Sequence, residues 1–335
     1  MISQLEEQLR VWVEGTRGSG ARVSGVRTLD GHSGFTYGFD VTQPDGTREP
    51  LVLRLPPPGA GTRNADVLRQ IPVLRYLASK GLPVAPVLDP GTDDQWFGSP
   101  FLLVRRMPGH TVSLEIADRQ PPGAHHVRAA VTTLGQLHRL PASVDLRQWS
   151  EPVSYTDEVC AWDRALERMP TEWQKDATRL RRGLLDGAPA EPSTGLVHGD
   201  YQFSNLLFDD DRLGTVLDWE VSGLGPQLLD IGWFLSINDQ ASWSHDVATQ
   251  DIPPQEVVLA WYESALGRAV DREEVAFARA LASYRFAVIA GLNLNMHRSG
   301  RREDPHWERI APSIPRLVSD GLRRLDVTTP NGRPR

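Results

Sequence analysis

The sequence predicts an α+β protein: a small antiparallel sheet followed by a larger, mainly helical region. Three observations predict it. Phe35, Tyr37, Phe39 and Val41 alternate with Thr36, Gly38 and Asp40, the period of a half-buried strand. In the second half of the chain, apolar residues recur instead at three- and four-residue spacing, the period of packed helices. Between those helical stretches, Leu196 to Trp219 alternates short apolar runs with aspartate-rich loops.

The elements follow in order. Ile2, Leu5, Leu9 and Trp12 share one face of a short helix, with Glu6, Glu7 and Arg10 on the others. Val23–Leu29, the alternating run and Leu51–Leu55 make an antiparallel, three-stranded start. Pro44-Asp45-Gly46-Thr47 turns the chain between the last two, because proline presets φ and glycine accepts a positive one. Asp66–Lys80 is periodic through Val67, Leu74 and Leu77, but Pro72 has no N–H to give a helix interior. The expectation is a kink, or a helix that starts near Pro72. Gly81–Pro86 returns the chain to the sheet, Phe101–Val104 is a further strand, and Arg105–Gly109 reads as a hinge. Helices are expected over Val127–Leu140, over Asp157–Leu185 with a break near Pro170, from Asp230, and over Val257–Leu266, Glu273–Leu294 and Trp307–Leu325. The polar tail, 328–335, holds two prolines and is expected to be disordered.

Composition bounds the function class. A chain of 335 residues, 40% apolar and 24% charged, has the balance of a soluble protein with a sizeable core. Its net charge of −7 argues against nucleic acid or an anionic membrane as the main partner. The single Cys160 cannot form an internal disulfide, which fits a reducing compartment. The N-terminus has no basic segment followed by an apolar core, and no apolar stretch is expected to reach membrane-spanning length. The expected location is cytoplasmic.

The chemistry concentrates in one block. Asp200 and Asn205 form an Asp-x-x-x-x-Asn loop after the apolar strand that ends at His198. Leu206–Phe208 and Thr215–Leu217 follow, separated by a turn in which Asp209–Asp211 are solvated and Gly214 completes the bend, and the second run delivers Asp218. One carboxylate can orient a hydroxyl; an amide oxygen and a second carboxylate can hold Mg²⁺ on nucleotide phosphates. A loop aspartate on its own more often caps local backbone N–H groups. No Gly-x-x-x-x-Gly-Lys-Ser/Thr is present, so a P-loop is excluded.

His198-Gly199-Asp200 to Asn205, followed by Leu217-Asp218-Trp219-Glu220, resembles the aminoglycoside phosphotransferase family of small-molecule kinases. The resemblance extends over nearly the whole chain. It implies a two-lobed protein-kinase-like fold, with a small antiparallel-sheet N-lobe over 1–105 and a larger, mainly helical C-lobe over 106–327. It implies an enzyme, an ATP- and Mg²⁺-dependent O-phosphotransferase, with GTP as the other candidate nucleotide. The acceptor would be a hydroxyl of a small molecule: an aminoglycoside, sugar, amino alcohol, macrolide or hydroxyacyl compound. Asp200 takes the catalytic place, and Asn205 and Asp218 those of the metal ligands. Gly31, Ser33, Gly34, Arg54, Arg106 and Met107 take nucleotide-contacting places, and His198 and Asp230 support the loop.

Two residues depart from the common kinase pattern. Arg54 stands where a lysine pairs with phosphates, and Gln70 falls near the helix glutamate that normally pairs with that lysine. Gln70 can accept a hydrogen bond from Arg54 but cannot neutralise it. These departures motivate a rival from another class, a catalytically silent pseudokinase serving as nucleotide sensor or interaction module. Glu220 reads as a contact to the substrate or to the metal's surroundings, or equally as a surface residue. The tryptophans of the second half read chiefly as packing residues, and Asp157, Glu158 and Asp163 as a solvated helix face or an attraction for a cationic substrate.

Overall fold

The computed structural model describes residues 2–29, 35–56, 67–113, 121–142, 144–244 and 251–328. Helix α1 (Ile2–Arg17) precedes strands β1 (Arg22–Thr28), β2 (Phe35–Thr42) and β3 (Arg48–Leu55). A 3-10 turn, Val67–Gln70, leads into α2 (Ile71–Ser79), β4 (Val87–Gly91) and β5 (Phe101–Arg105). Helices α3 (Ala124–His138), α4 (Val144–Trp149), α5 (Tyr155–Cys160), α6 (Asp163–Leu166) and α7 (Thr171–Asp186) come next. Four short strands follow, β6 (Thr194–Val197), β7 (Leu206–Asp209), β8 (Arg212–Val216) and β9 (Gly223–Pro226). The rest is helical: α8 (Leu228–Ile237), α9 (Gln255–Leu266), α10 (Arg272–Arg298), α11 (His306–Ile310) and α12 (Ile314–Thr328). The chain divides into two compact units, Met1–His110 with Leu206–Val221, and Thr111–Asn205 with Ser222–Arg335.

In the first unit, five strands pair in the order β1-β2-β3-β5-β4, each pair antiparallel. Period-2 alternation sends Phe39, Val41, Leu51, Leu53, Phe101 and Leu103 to one face, where Leu5, Leu9, Trp12 and Val13 of α1 pack on them. Trp12 lies edge-on to Phe39 and to Phe101, with centroids 6.4 Å apart in each case. Leu9 is fully buried there, and its removal would cost about 2–5 kcal/mol. The opposite face is not simply solvated, as alternation suggests: Asp40 is buried, because Arg48 and Arg106 each reach a carboxylate oxygen at 2.7 Å. Burial works against its charge, yet the two guanidinium groups hold this carboxyl below the usual carboxylate range.

Pro72 stands in the first turn of α2, where its missing N–H costs nothing, so the helix starts at Ile71 after the 3-10 turn. Strands β7 and β8 form a hairpin turned by Asp210 and Asp211, with Asp210 at φ 50°. Gly214 therefore does not complete the turn. It is the unmatched residue of a bulge, since Leu207 faces Thr215 and Phe208 faces Leu213. The hairpin is tied to the chain after β5 by a reciprocal pair of bonds between His110 and Phe208, of 2.9 and 2.8 Å. Gly109 permits this approach: it holds φ 110°, and a Cβ there would lie 2.7 Å from the Phe208 carbonyl oxygen.

The second unit is mainly helical, and α10 is central to a core in which Phe277, Leu281, Tyr284, Val288 and Leu294 pack with α7, α11 and α12. The segment from Asp157, expected to break near Pro170, breaks there and once more, giving three helices. A capping box, in which Ser154 and Asp157 exchange bonds, starts α5 earlier, the chain breaks at Trp162, and Pro170 then opens α7. The last expected helix is likewise divided, as Pro312 and Pro315 withdraw two N–H donors around Ala311–Ser313. One further correction concerns α10. It is long and apolar enough to cross a membrane by length and composition, but 72% of that window is buried within the unit, as for a core helix. Residues 329–335 of the expected tail lie outside the described residues.

Close helix contact rests on glycine where α8 meets α10. A Cβ on Gly232 would lie 2.7 Å from the backbone carbon and the Cβ of Ala278. Gly232→Ala should therefore destabilise by about 1–3 kcal/mol, read as a lower urea midpoint, whereas an unchanged midpoint would show that the helices can part without cost.

Candidate active site

In the second unit the candidate site begins where β6 ends. This strand pairs with β9 from Thr194↔Pro226 to Val197↔Gly223, and the chain leaves it at His198. The Asp230 carboxylate, on α8 and 1% exposed, receives the backbone N–H of His198 at 2.7 Å and that of Gly199 at 2.8 Å. Its Oδ2 also faces Nε2 of the buried His138 at 3.1 Å. A carboxylate only accepts, so this nitrogen of His138 carries the proton, and in the neutral ring Nδ1 takes the Tyr262 hydroxyl at 2.6 Å. Burial opposes the Asp230 charge, but His138 and the His198 backbone outweigh it and hold the carboxyl below its usual range.

His198 is wholly buried, and its Nδ1 accepts the N–H of Asp200 at 3.2 Å, so the ring shapes the loop it belongs to. The next residue, Tyr201, donates its hydroxyl to the Ala130 carbonyl of α3 at 2.8 Å. Burial and the nearby Asp230 push that hydroxyl's pKa up, so it stays a donor. Between these fixed points, the half-buried Asp200 accepts from Gln202 through Oδ1 at 2.8 Å and from Asn205 through Oδ2 at 2.9 Å. Asn205 Nδ2 also reaches the Asp200 carbonyl at 2.9 Å, which turns its Oδ1 away from Asp200. The loop thus presents one carboxylate and one amide oxygen in fixed relation. Each Asp200 oxygen keeps a further acceptor site.

The first unit holds a separate charged cluster on the sheet face opposite α1. Arg54, on β3 and 16% exposed, donates through Nη1 to Gln70 Oε1 at 3.1 Å. Its Nη2 lies 3.2 Å from both Asp218 Oδ1 and Glu220 Oε2. One guanidinium thus faces two carboxylates and an amide, and the neutral Gln70 is not its sole partner. Arg69 adds a bond to the Glu220 carbonyl at 3.0 Å. Asp218 holds φ 60°, a left-handed conformation that a non-glycine residue adopts at some cost.

The structure therefore groups Asp200, Asn205, His198 and Asp230 in one unit, and Arg54, Gln70 and Asp218 in the other. Arg106 donates through Nη2 to Asp40 Oδ1 at 2.7 Å. Met107, half-buried, lies just beyond β5. Gly31, Ser33 and Gly34 lie outside the described residues. Glu220 is the partner that sequence reasoning left open between a site contact and the surface; it lies past the end of β8, where no strand periodicity points to Arg54.

The family model that matches this arrangement covers residues 34–277 and describes the phosphotransferase enzyme family. The chain belongs to that family. The chemistry its description names is phosphoryl transfer. Over 194 residues the chain is 31% identical to acyl-CoA dehydrogenase family member 10 of Mus musculus, covering 55% of this chain and 18% of that protein. The chain thus spans less than a fifth of that relative's length. Among solved structures, a Ralstonia eutropha protein provisionally described as an aminoglycoside phosphotransferase matches with a TM-score of 0.78 and 21% identity, over 96% of this chain and 98% of that one. A thermostable variant of aminoglycoside phosphotransferase APH(4)-Ia, in ternary complex with AMP-PNP and hygromycin B, matches with a TM-score of 0.60 and 19% identity, over 94% and 98%. These likenesses show the two-lobed kinase-like fold.

The Asp230 anchor has a measurable pH signature. Its carboxyl lies below the unfolded value, so its contribution is present at neutral pH and is lost as pH falls below about 4. Asp230→Asn should lower stability at pH 7 by about 3–5 kcal/mol, with the deficit shrinking under acid in paired urea melts. A deficit independent of pH would refute the charged anchor.

Proposed function

We propose that this protein transfers the γ-phosphoryl group of ATP to a hydroxyl of a small molecule, with Asp200 orienting that hydroxyl. The observation that carries the reading is the prepared loop: Asp230 fixes the two amides before Asp200, and Asn205 fixes its carboxylate. The remaining acceptor capacity of Asp200 suits the hydroxyl proton, and a loose transition state asks only modest base strength of it. His198 then acts by shaping the loop, its Nδ1 already occupied by a backbone N–H.

Asn205 Oδ1 and the Asp218 carboxylate are hard oxygen donors, the set that Mg²⁺ takes, and the bound ion would neutralise phosphate charge. In this reading Arg54 offers its fork to the phosphates, steadied by Gln70 and Glu220. Those two contacts also answer the departures that motivated a silent module, because the charge a helix glutamate would supply is supplied by Glu220. Gly31, Ser33, Gly34 and Met107 complete the nucleotide contacts on the family resemblance. The family's acceptors are small hydroxylated molecules, which leaves a cytoplasmic metabolic or detoxifying role for the enzyme.

Two measurements test this. In thermal melts, ATP with Mg²⁺ at a hundred times its dissociation constant should raise the midpoint by about 5 °C, with GTP as comparator, and Asp218→Ala should abolish the magnesium-dependent part. Across a panel of hydroxylated acceptors, Asp200→Asn should cut turnover by about 10²–10⁴-fold while the ATP-induced shift persists. Undiminished turnover in that variant would remove Asp200 from the catalytic role.

The Arg54 cluster predicts a graded outcome. Arg54→Met should weaken ATP binding more than Glu220→Gln, by about tenfold against a few-fold in calorimetric titration, because the first removes the phosphate donor and the second only its support. Equal losses would assign Glu220 a direct ligand role.

A further inference from the structure

We propose that the second unit carries an oxyanion-binding subsite centred on Arg285, so that the acceptor is a hydroxy compound bearing a carboxylate or phosphate. This rests on the phosphotransferase reading above and names its substrate class. Arg285 of α10 lies over two indoles, 4.7 Å from the Trp233 ring centroid and 5.1 Å from that of Trp162. Stacking between aromatic faces fixes the plane of the guanidinium and leaves its edge as the direction of hydrogen bonding. Among the described residues, no carboxylate lies within ion-pair distance of Arg285 and no acceptor meets its N–H groups.

Its Nε is buried without a partner, and so is the Nε1 of Trp233, a residue only 5% exposed. Buried N–H groups left without an acceptor are rare and costly, and here two occur in one cluster. Both groups only donate. What completes such a set is an atom that only accepts, and the planar fork of arginine matches the two oxygens of a carboxylate or phosphate. Glu158 of α5 does not fill this place: it feels the Arg285 charge from beyond ion-pair distance, and burial pushes its carboxyl up toward the neutral form.

The cluster adjoins the catalytic loop through α8. Trp233 follows Asp230 by three residues, so both lie on neighbouring positions of one helix face, about 4.5 Å apart along its axis. Phe234 of the same helix packs on Tyr201 and Phe203, which lie within the Asp200–Asn205 loop, at 6.1 and 5.1 Å between centroids. A ligand held by Arg285 of α10 and Trp233 of α8 would thus touch the helix that positions the loop.

The test measures binding and turnover separately. Binding of 3-hydroxybutyrate and of its neutral amide is followed by tryptophan fluorescence, beside glycerol 3-phosphate and glycerol as the phosphate arm. In the wild type, one charged member should bind at least about tenfold more tightly than its neutral counterpart, and which pair discriminates identifies the oxyanion. Arg285→Met should abolish the preference, Arg285→Lys should retain part of it, and Trp162→Phe should reduce the fluorescence response; thermal midpoints within a few degrees of wild type show that the variants are folded. Equal binding of charged and neutral members, or a preference that survives Arg285→Met, would overturn the subsite. Because binding is also read in the Asp200→Asn variant, the two readings fail separately. A preference without any phosphoryl transfer would leave the subsite and remove the reaction, whereas transfer to neutral acceptors without a preference would do the reverse.

Discussion

A single buried carboxylate holds the second unit to its geometry. Asp230 keeps its charge in the interior because its donors surround it: two backbone amides and the His138 imidazole. Taking a charge from water without such partners costs several kcal/mol, so the loop cannot drift from the helix without exposing that cost. The same carboxylate links four elements. Asp230 lies on α8, the amides follow β6, His138 ends α3, and Tyr262 reaches it from α9. Gln227, just before α8, closes the circuit by donating to the His138 carbonyl at 2.7 Å. Helix packing and loop conformation are thus set by one network, and the side chains that bear chemistry inherit their positions from it.

The first unit solves a different electrostatic problem. Arg54 is a half-buried cation, and such a group needs acceptors. Its planar fork divides the task between Gln70 on one nitrogen and Asp218 with Glu220 on another. The arginine and the glutamine thus form a consistent set with Glu220, and the left-handed backbone at Asp218 is the local cost of presenting its carboxylate there.

Most of what repeats locally was legible in the sequence. Alternation places β2 and β3, Pro72 marks the start of α2, and the Asp-x-x-x-x-Asn spacing marks the loop. What depends on partners far along the chain was not. Strand β9 reads Gly-Leu-Gly-Pro, with no strand propensity of its own, and exists because β6 supplies its ladder. Asp40 alternates as a solvent-facing residue until Arg106, 66 positions later, covers it. Glu220 meets Arg54 across 166 positions. The break at Trp162 likewise leaves no periodic trace. Helix α10 shows the converse: buried on most sides, it loses the amphipathic stripe that marks a surface helix, although Arg279 and Arg285 interrupt its apolar sequence.

The β7–β8 hairpin belongs to the first unit, although 95 residues, Thr111–Asn205, separate it from the rest. A ribosome adding about 5–20 residues per second delivers those residues over roughly 5–20 s. Through that interval the nascent first unit carries the His110 backbone donor and acceptor, and the Pro83 carbonyl, without the strands that will bond to them. It also lacks the carboxylates that will meet Arg54. The order of synthesis therefore leaves the first unit incomplete until residues 206–221 have been made.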